Sequence, residues 1–377
     1  MRICALILAL LLLACGAPAP ERPGGRLAFR TENSVRVVDL DGNEVATLPC
    51  HMSPRFSPDG SRIACLGTPD PQFLQQFQSY VTELQQEFGD QLDPQQLSGF
   101  AYHGSIHIAA VDGTDVQKVA NHLAFFKVWW SATGDRLFFQ SSFGSAEQAP
   151  RASQVGSVGA LFAVGADGLG VSQLSEPVPM SLSAAATWSA DLQWKVATAI
   201  QSTAGDVVAA TAESLSLAQR IFLFPASGDQ ARQVSSEPAG FAHANPAISS
   251  DARRISYNAV RRSPDDPEVV EATLHVVDFS GEFQSQVATD CTVAEWSGDN
   301  QRLLLSCAES RVTVLDLATG TRAELGEGLY PVFSPDEIWV GFVRRTEATS
   351  QVHIARVDGT ESRQVIELPG AVDQLEW

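Results

Sequence analysis

The amino-acid sequence predicts an all-β protein: a seven-bladed β-propeller closed by a blade that the two ends of the chain share, with one helical insertion. Three observations predict this fold. One short turn pattern occurs six times, and a second pattern of a strand and a turn occurs seven times. The last residues also supply the strand that the first residues lack. Repeats of about 20 to 50 residues are typical of propellers and solenoids.

The first pattern is an aromatic or aliphatic residue, then Ser, then a polar turn that usually contains Asp. An Arg or a Trp stands five positions after each Ser, and an apolar strand follows. Each copy therefore predicts a hairpin turn between two strands. Asp and Ser in such turns bond to nearby backbone amides, which favours a structural role over a metal or acid–base site. The copies lie at 56–60, 130–134, 188–192, 248–252, 296–300 and 333–337.

The second pattern is an alternating apolar run that ends in Asp-Gly or an equivalent pair, which is typical of a strand entering a tight turn. Its copies lie at 35–42, 106–113, 161–168, 221–228, 274–281, 312–320 and 352–359, so the count predicts seven blades. Trp377 stands where a first strand would end, and residues 26–29 read as a second strand. We therefore expect one blade to combine both ends of the chain, which leaves no open sheet edge.

The segments 56–60 (FSPDG) and 333–336 (FSPD) resemble the turn of the TolB-like propeller repeat, a relative of WD repeats. The other copies are degenerate forms of the same turn. The resemblance covers nearly all of the chain after its N-terminal segment, and it implies the propeller fold. It does not imply one function, because the repeat occurs in periplasmic scaffolds, in sensors and in the substrate-gating domain of prolyl-type peptidases. TolB itself has an additional N-terminal α/β domain and six blades, so no role in the Tol system is expected.

The N-terminal segment predicts export and lipid attachment. Residues 1–14 combine one Arg, an apolar run too short to span a bilayer and small residues, as a secretory signal peptide does. The sequence LLACG around Cys15 resembles the bacterial lipobox, which implies cleavage before Cys15 and diacylglycerol on its thiol. The alternative is an ordinary signal with a Cys near its cleavage site. Residues 15–25 are rich in Pro and Gly and predict a flexible tether, and residues 26–377 predict the propeller.

The charge balance argues against two classes of partner. The chain has 25 Lys and Arg against 44 Asp and Glu, a formal net charge of -19. A chain this acidic has no electrostatic footprint for nucleic acid, and anionic lipid headgroups would repel it. Membrane contact is therefore expected through the N-terminal lipid only. The acidic surplus is interpreted as solvated surface rather than as a site for a cationic partner.

Long connections between second and third strands are predicted in four successive blades, at about 68–104, 141–159, 201–219 and 261–272. In a propeller these connections lie on one face, whereas the two kinds of short turn lie on the other. Insertions gathered on one face of a repeat protein often mark its binding side. The alternative is drift in tolerant loops.

The largest insertion, at about 69–103, predicts a helix. Asp70 is a candidate N-cap followed by Pro71, and Gly89 is a candidate stop. An apolar stripe runs along the helix while Gln and Glu occupy its other face. The stripe is interpreted as packing on the propeller rim or as a partner-docking surface; membrane docking is the weakest reading, because the charged residues nearby are acidic. Its candidate binding residues are Phe73, Phe77, Tyr80, Leu84 and Phe88.

Four cysteines of the exported part form two pairs, and each pair flanks one Ser-turn hairpin. Export makes disulfides permissible. Cys291 and Cys307 are symmetric about their turn and are expected to face each other, whereas Cys50 and Cys65 are offset and need a bulge near Pro54. Free buried thiols are the alternative. No Cys-x-x-Cys spacing occurs, so zinc is not expected.

The sequence contains no recognised catalytic motif. The seven histidines are scattered, and only His103 and His107 lie close together, which is too few ligands for a metal site. A Gly-x-Ser-x-Gly elbow, a phosphate-binding Gly loop and a His-Glu-x-x-His motif are all missing from the sequence. No cofactor, metal or catalytic residue is therefore predicted.

The sequence thus favours a lipid-anchored binding or scaffold module of a bacterial cell envelope, with an unidentified envelope protein, peptide or glycan as partner. Gly16, rather than Asp, after Cys15 would by the family rule permit sorting to the outer membrane. The alternative is a propeller enzyme, of hydrolase or lactonase type, with its site at the mouth of the channel.

Overall fold

The computed structural model describes residues 25–32, 34–68, 103–123, 128–141, 158–176, 178–179, 187–201, 207–209, 219–236, 238, 240–262, 270–282 and 284–377, and the single positions 71, 75, 79, 82 and 86. Seven antiparallel sheets form the seven blades of a β-propeller. The predicted fold is confirmed.

The first three strands and the last strand form one sheet, here called blade 7. It contains β1 (Arg26–Arg30), β2 (Val35–Asp39), β3 (Glu44–Leu48) and β29 (Asp373–Glu376). Blade 1 contains β4 (Cys50–Phe56), β5 (Arg62–Gly67), β6 (His103–Ala110) and β7 (Gln117–Leu123). Blade 2 contains β8 (Val128–Trp130), β9 (Arg136–Ser141), β10 (Val158–Gly165), β11 (Ser172–Gln173) and β12 (Val178–Pro179).

The remaining blades follow in chain order. Blade 3 contains β13 (Trp194–Gln201), β14 (Val207–Ala209), β15 (Gln219–Pro225) and β16 (Arg232–Gln233). Blade 4 contains β17 (Ala242–Ile248), β18 (Arg254–Arg262), β19 (Val270–Asp278) and β20 (Gln284–Thr289). Blade 5 contains β21 (Cys291–Trp296), β22 (Arg302–Cys307), a 3-10 turn (Ala308–Ser310), β23 (Arg311–Asp316) and β24 (Arg322–Glu327). Blade 6 contains β25 (Leu329–Phe333), β26 (Trp339–Arg345), β27 (Thr349–Arg356) and β28 (Ser362–Pro369).

Blade 3 departs from the regular order of four strands. Where the other blades have an inner first strand, the described part of blade 3 has a single bridge between Trp188 and Lys195. Strand β14, which comes from the connection between the second and third strands, pairs beside the far end of β13. The inner edge of this blade is therefore built from two separate stretches of chain.

The hydrophobic core is divided among the seams between neighbouring blades. Within the described residues, seven clusters of buried side chains occur, and each joins the facing surfaces of two adjacent sheets. Strand residues alternate between the two faces of a sheet, so each blade contributes to two seams. The stability of the ring therefore depends on every blade keeping both of its neighbours.

The closing blade has the predicted arrangement. Strand β29 pairs antiparallel with β1, with Ala28 opposite Glu376. Trp377, which follows β29, is buried in the seam between blades 6 and 7. A Cβ at Gly25 would lie 2.8 Å from the indole nitrogen of Trp377, so the start of β1 lies directly against the end of the chain.

Five of the six repeated turns share one hydrogen-bond pattern, whereas in the sixth Ser131 Oγ donates to Asp135 Oδ1, four residues later. The Ser hydroxyl donates to an Asp oxygen two residues later at 2.5–2.6 Å, and it accepts the backbone N–H five residues later at 2.9–3.0 Å. The hydrogen bonds from Ser57 and Ser61 lower the pKa of Asp59 to about 2. The carboxylates therefore cap turns, as predicted. The five Ser residues are Ser57, Ser189, Ser249, Ser297 and Ser334.

Arginines five residues after the Ser link three of these turns to the next blade. Each guanidinium donates to a backbone carbonyl of the neighbouring turn. It also lies over the aromatic residue that opens that turn, 4.9–5.7 Å from the ring centroid, where a cation–π attraction operates. The donor and acceptor residues are Arg62 with Gly134, Arg254 with Asn300, and Arg302 with Glu337.

Both predicted disulfides are present. Cys291 and Cys307 are direct partners in the pairing of β21 with β22. Cys50 pairs opposite Gly67 rather than Cys65, and two register shifts between Cys50 and Arg55 bring the sulfurs together. The bulge predicted near Pro54 is therefore observed.

Candidate functional site

The long connections gather at one end of the propeller, here called the looped face. In blades 1 to 4 the second and third strands are separated by the intervals 67–103, 141–158, 201–219 and 262–270. In blades 5 to 7 the same connection needs only the short stretches 308–310, 346–348 and 31–34. The opposite end, here called the turn face, carries the Ser turns and the Asp-Gly turns. The asymmetry between the faces agrees with the sequence prediction.

Only isolated positions of the largest insertion are described. Pro71, Gln75, Ser79, Thr82 and Gln86 are helical, and their side chains are exposed. Ser79 Oγ donates to the Gln75 carbonyl at 3.1 Å, as expected one turn apart in a helix. These positions belong to the polar face of the predicted helix.

All five predicted binding residues of this helix lie outside the described part of the chain, as does the predicted lipid-attachment residue in the N-terminal segment. For these residues the sequence interpretation stays a prediction. They are Cys15, Phe73, Phe77, Tyr80, Leu84 and Phe88.

The inner strands that surround the axial channel share a bulge that the sequence analysis did not predict beyond β4. Register shifts interrupt the pairing of β4, β17, β21, β25 and β29 with their neighbours. In four of these strands, one residue has a positive φ of 49–53°. It lies three positions before the aromatic or aliphatic residue at, or directly after, the end of the strand. A bulge takes backbone groups out of the ladder and re-aims side chains. The four residues are Ser53, Asn245, Tyr330 and Gln374.

Side chains of one blade accept the backbone N–H groups that these bulges release in the next blade. Gln374 Oε1 accepts the Ser53 N–H at 2.7 Å. Glu295 Oε2 accepts the Phe333 N–H at 2.9 Å. Glu376 accepts the backbone N–H of Phe56 in the same way. Side chains therefore join blade 5 to blade 6 and blade 7 to blade 1, and Glu295 and Glu376 do so from equivalent positions.

Two carboxyls and one guanidinium form the charged part of the channel wall near the turn face. Arg55 Nη1 donates to Glu376 Oε2 at 2.6 Å. Glu295 is exposed to the channel, but the protein surrounds it, and this desolvation raises the pKa of its carboxyl to about 7. Burial likewise raises the pKa of Glu376, although the Arg55 charge opposes the shift. Glu295 can therefore exchange a proton near neutral pH. The two carboxyls also accept the backbone N–H groups of Phe333 and Phe56.

The sequence contains a signal for these channel residues that lies outside the two repeat patterns. Arg55, Glu295 and Glu376 all stand one position before the aromatic residue of the turn pattern. A charge at that position places an ionisable group near the end of an inner strand. Among the described residues, no group of three or more His, Cys, Asp or Glu side chains is placed to hold a metal ion.

A groove of about 920 Å³ opens on the turn face between blades 1 and 2. Arg62 and Arg136 line it together with Asp135 and Asp167. The charges of these four side chains balance, and Arg62 is already engaged in the link between the two turns. In the part of the chain that the structure describes, no helix has the length and apolar character needed to span a membrane.

Comparison with protein-family models finds no match, and comparison with curated proteins finds none either. Solved structures match in fold. The β-propeller domain of the Trilobed protease from Pyrococcus furiosus aligns with a TM-score of 0.53 and 12% identity, covering 91% of this chain and 95% of that one. The acylaminoacyl peptidase of Pyrococcus horikoshii aligns with a TM-score of 0.50 and 16% identity, covering 90% of this chain and 50% of that one.

TolB from Acinetobacter baumannii also aligns, with a TM-score of 0.43 and 14% identity over 93% of this chain. This chain spans 66% of that TolB structure and half of the peptidase. The likeness to the two Pyrococcus proteins shows the propeller fold alone, and one fold carries many unrelated functions.

Proposed function

We propose that this protein is a lipid-anchored propeller of the bacterial cell envelope that binds or scaffolds a protein, peptide or glycan through its looped face. One observation carries the proposal: four successive blades place long connections on the same face, while the remaining blades keep theirs short. Loops held on a rigid scaffold are where binding residues are most often found. The turn face, by contrast, uses its polar side chains to hold its own backbone.

The envelope location rests on the N-terminal segment. A signal peptide, a lipobox-like LLACG and a Pro-rich tether follow one another in the order that an anchored protein requires. Gly16 favours the outer membrane. The two disulfides fit an oxidising compartment.

Metabolic labelling tests the anchor. The full chain, expressed in a Gram-negative host, is expected to incorporate [3H]palmitate and to fractionate with membranes. Cys15→Ser should lose both the label and the membrane association, whereas Cys4→Ser, in the cleaved part of the signal, should keep them. Label that persists in Cys15→Ser would contradict lipid attachment at this residue.

Deletion of the largest insertion tests the face. Replacing residues 69–102 with a short Gly-Ser linker is expected to abolish capture of the native envelope partner in a pull-down. The control is Leu169→Ser on the turn-face side of blade 2, where the side chain is 71% exposed. Capture that survives the deletion, or that is lost in the control instead, would contradict the assignment of the looped face.

A further inference from the structure

Three basic side chains meet at the looped end of the seam between blades 7 and 1. Arg30 ends β1, His51 lies near the start of β4, and His107 lies on β6. Arg30 lies on the same sheet face as Ala28, and His107 pairs opposite Cys65. Ala28 and Cys65 both belong to the core of that seam. We call Arg30, His51 and His107 the basic cluster.

The members of the basic cluster are close enough to influence one another. Burial, and then the charge of Arg30, lowers the pKa of His51. Burial, then Lys118 and then His51, lowers the pKa of His107. Among the described residues, no carboxylate shifts the pKa of either histidine.

All three side chains are half-buried, and within the described residues none of them has a hydrogen-bond or ion-pair partner. Arg30 Nε and His107 Nδ1 are fully buried and unpaired there. An unsatisfied buried polar group is costly, and its presence in both side chains shows that neither uses its full hydrogen-bonding capacity within the described residues. Gly67 makes the arrangement possible, because a Cβ at this position would lie 2.4 Å from His107 Nδ1.

We propose that the basic cluster binds a carboxylate group of the ligand that occupies the looped face. This inference rests on the proposed function, because it adds a specific contact to the looped face. A guanidinium pairs well with a planar carboxylate, and an imidazole N–H nearby supplies a further donor.

The charge of the cluster selects among ligands. Near pH 7 both histidines are neutral, because their pKa values are lowered, and Arg30 supplies one positive charge. One positive charge matches the single negative charge of a carboxylate better than the higher charge of a phosphate. The same guanidinium would repel a metal ion held by the two rings.

The test is an NMR titration of the histidine rings in the folded, full-length mature protein with acetate as the probe. Acetate is expected to shift the His51 and His107 resonances and to raise the pKa of both rings. Arg30→Gln should weaken acetate binding about tenfold to a hundredfold, the loss expected for a charge-assisted hydrogen bond. Arg26→Gln, on the same face of β1 but at its other end, should leave binding unchanged.

A stability measurement separates ligand binding from a structural role of Arg30. Since Arg30 has no partner among the described residues, Arg30→Gln is expected to keep the melting temperature of the ligand-free protein. A fall in melting temperature without any change in acetate binding would overturn the proposal.

The remaining outcomes are equally decisive. Histidine shifts that are absent with acetate, or that appear with Zn²⁺ alone, would overturn the site, and tighter binding of inorganic phosphate than of acetate would overturn the choice of carboxylate. The proposed function fails on a different result: if deletion of the insertion leaves partner capture intact while acetate still binds, the site stands and the face assignment falls.

Discussion

Lys195 is a fully buried amine in the seam between blades 2 and 3. Its Nζ donates to Gln140 Oε1 and to Thr187 Oγ1, both at 2.9 Å, and it lies 5.6 Å from the ring centroid of Trp188. These partners carry no negative charge, so they offset only part of the cost of burying a positive charge. Burial lowers the pKa of Lys195 to about 7.

This shift predicts a dependence of stability on pH. Between the folded pKa of about 7 and the ordinary value of 10.5, the unfolded chain binds a proton that the folded chain does not, so stability rises with pH. The contribution is up to about 1.4 kcal/mol for each pH unit. Lys195→Met should lose this slope in denaturant unfolding between pH 7 and 10, and Lys118→Met, at an exposed lysine, should keep it. Equal slopes in wild type and Lys195→Met would show that the amine stays charged.

Backbone strain at single turn residues predicts a pair of opposite effects. Ala252 and Gly60 occupy the same place in their turns, with φ of 54° and 67°. A positive φ destabilises an L-residue by about 1–2 kcal/mol relative to glycine. Glycine recovers only part of this difference, because its greater conformational freedom in the unfolded chain costs about 0.5–1 kcal/mol on folding. Ala252→Gly should therefore raise the free energy of unfolding by about 0.5–1 kcal/mol, and Gly60→Ala should lower it by a similar amount.

Chemical denaturation measures both turn variants. Nothing lies within 4 Å of a Cβ placed at Gly60, so its substitution reports on the backbone alone. A change of the same sign in the two variants would mean that side-chain contacts, rather than φ, set the effect.

At the scale of elements, the two disulfides each connect the first and second strands of one hairpin, in blades 1 and 5. The bridged residues are 15 and 16 positions apart. Closing a loop of this length removes conformations mainly from the unfolded chain and stabilises by about 3 kcal/mol. The blade 5 hairpin also supplies the inner strand β21, so both of its seams depend on it.

Replacing Cys291 and Cys307 together with Ser is therefore expected to lower the free energy of unfolding by about 3 kcal/mol. Denaturation of the variant, with and without a reductant, measures the effect. A reductant should then cause a further loss through Cys50–Cys65 only. An unchanged midpoint in the double variant would show that the hairpin is held by its other contacts.

The elements also show where sequence reasoning reaches its limit. The Ser turns, their Asp caps and the bulge near Pro54 were predictable because each depends on residues close together in the chain. The links from Arg62 to Gly134 and from Glu295 to Phe333 were not, because each joins residues of different blades. A repeat pattern gives the number of blades but not the rotation between them. The basic cluster was missed for the same reason: Arg30, His51 and His107 meet only after the ring has closed.

At the scale of the whole molecule, closure depends on the last strand. Trp377 and Leu375 lie in the same core cluster as Leu27 and Trp339, so they hold blade 7 against blade 6. Removing a buried Trp side chain costs about 3–5 kcal/mol. Trp377→Ala should destabilise the protein by about this amount, whereas Trp377→Phe should retain most of the stability.

Denaturant unfolding followed by circular dichroism distinguishes the two Trp377 variants. A single transition is expected, because every blade stabilises two seams and cannot open alone without exposing both. Separate transitions, or an unchanged midpoint in Trp377→Ala, would contradict closure by a shared blade.

The shared blade also determines the face at which the chain enters the propeller. β1 is a second strand, so it starts at the turn face, and Gly25 lies there against Trp377. A tether that enters at this point leaves the looped face at the far end of the molecule. If Cys15 is embedded in a bilayer, the chain reaches the propeller at the turn face, and the long connections lie at the end farthest from that point of entry. A ligand of the looped face then binds without contacting the point at which the tether joins the propeller.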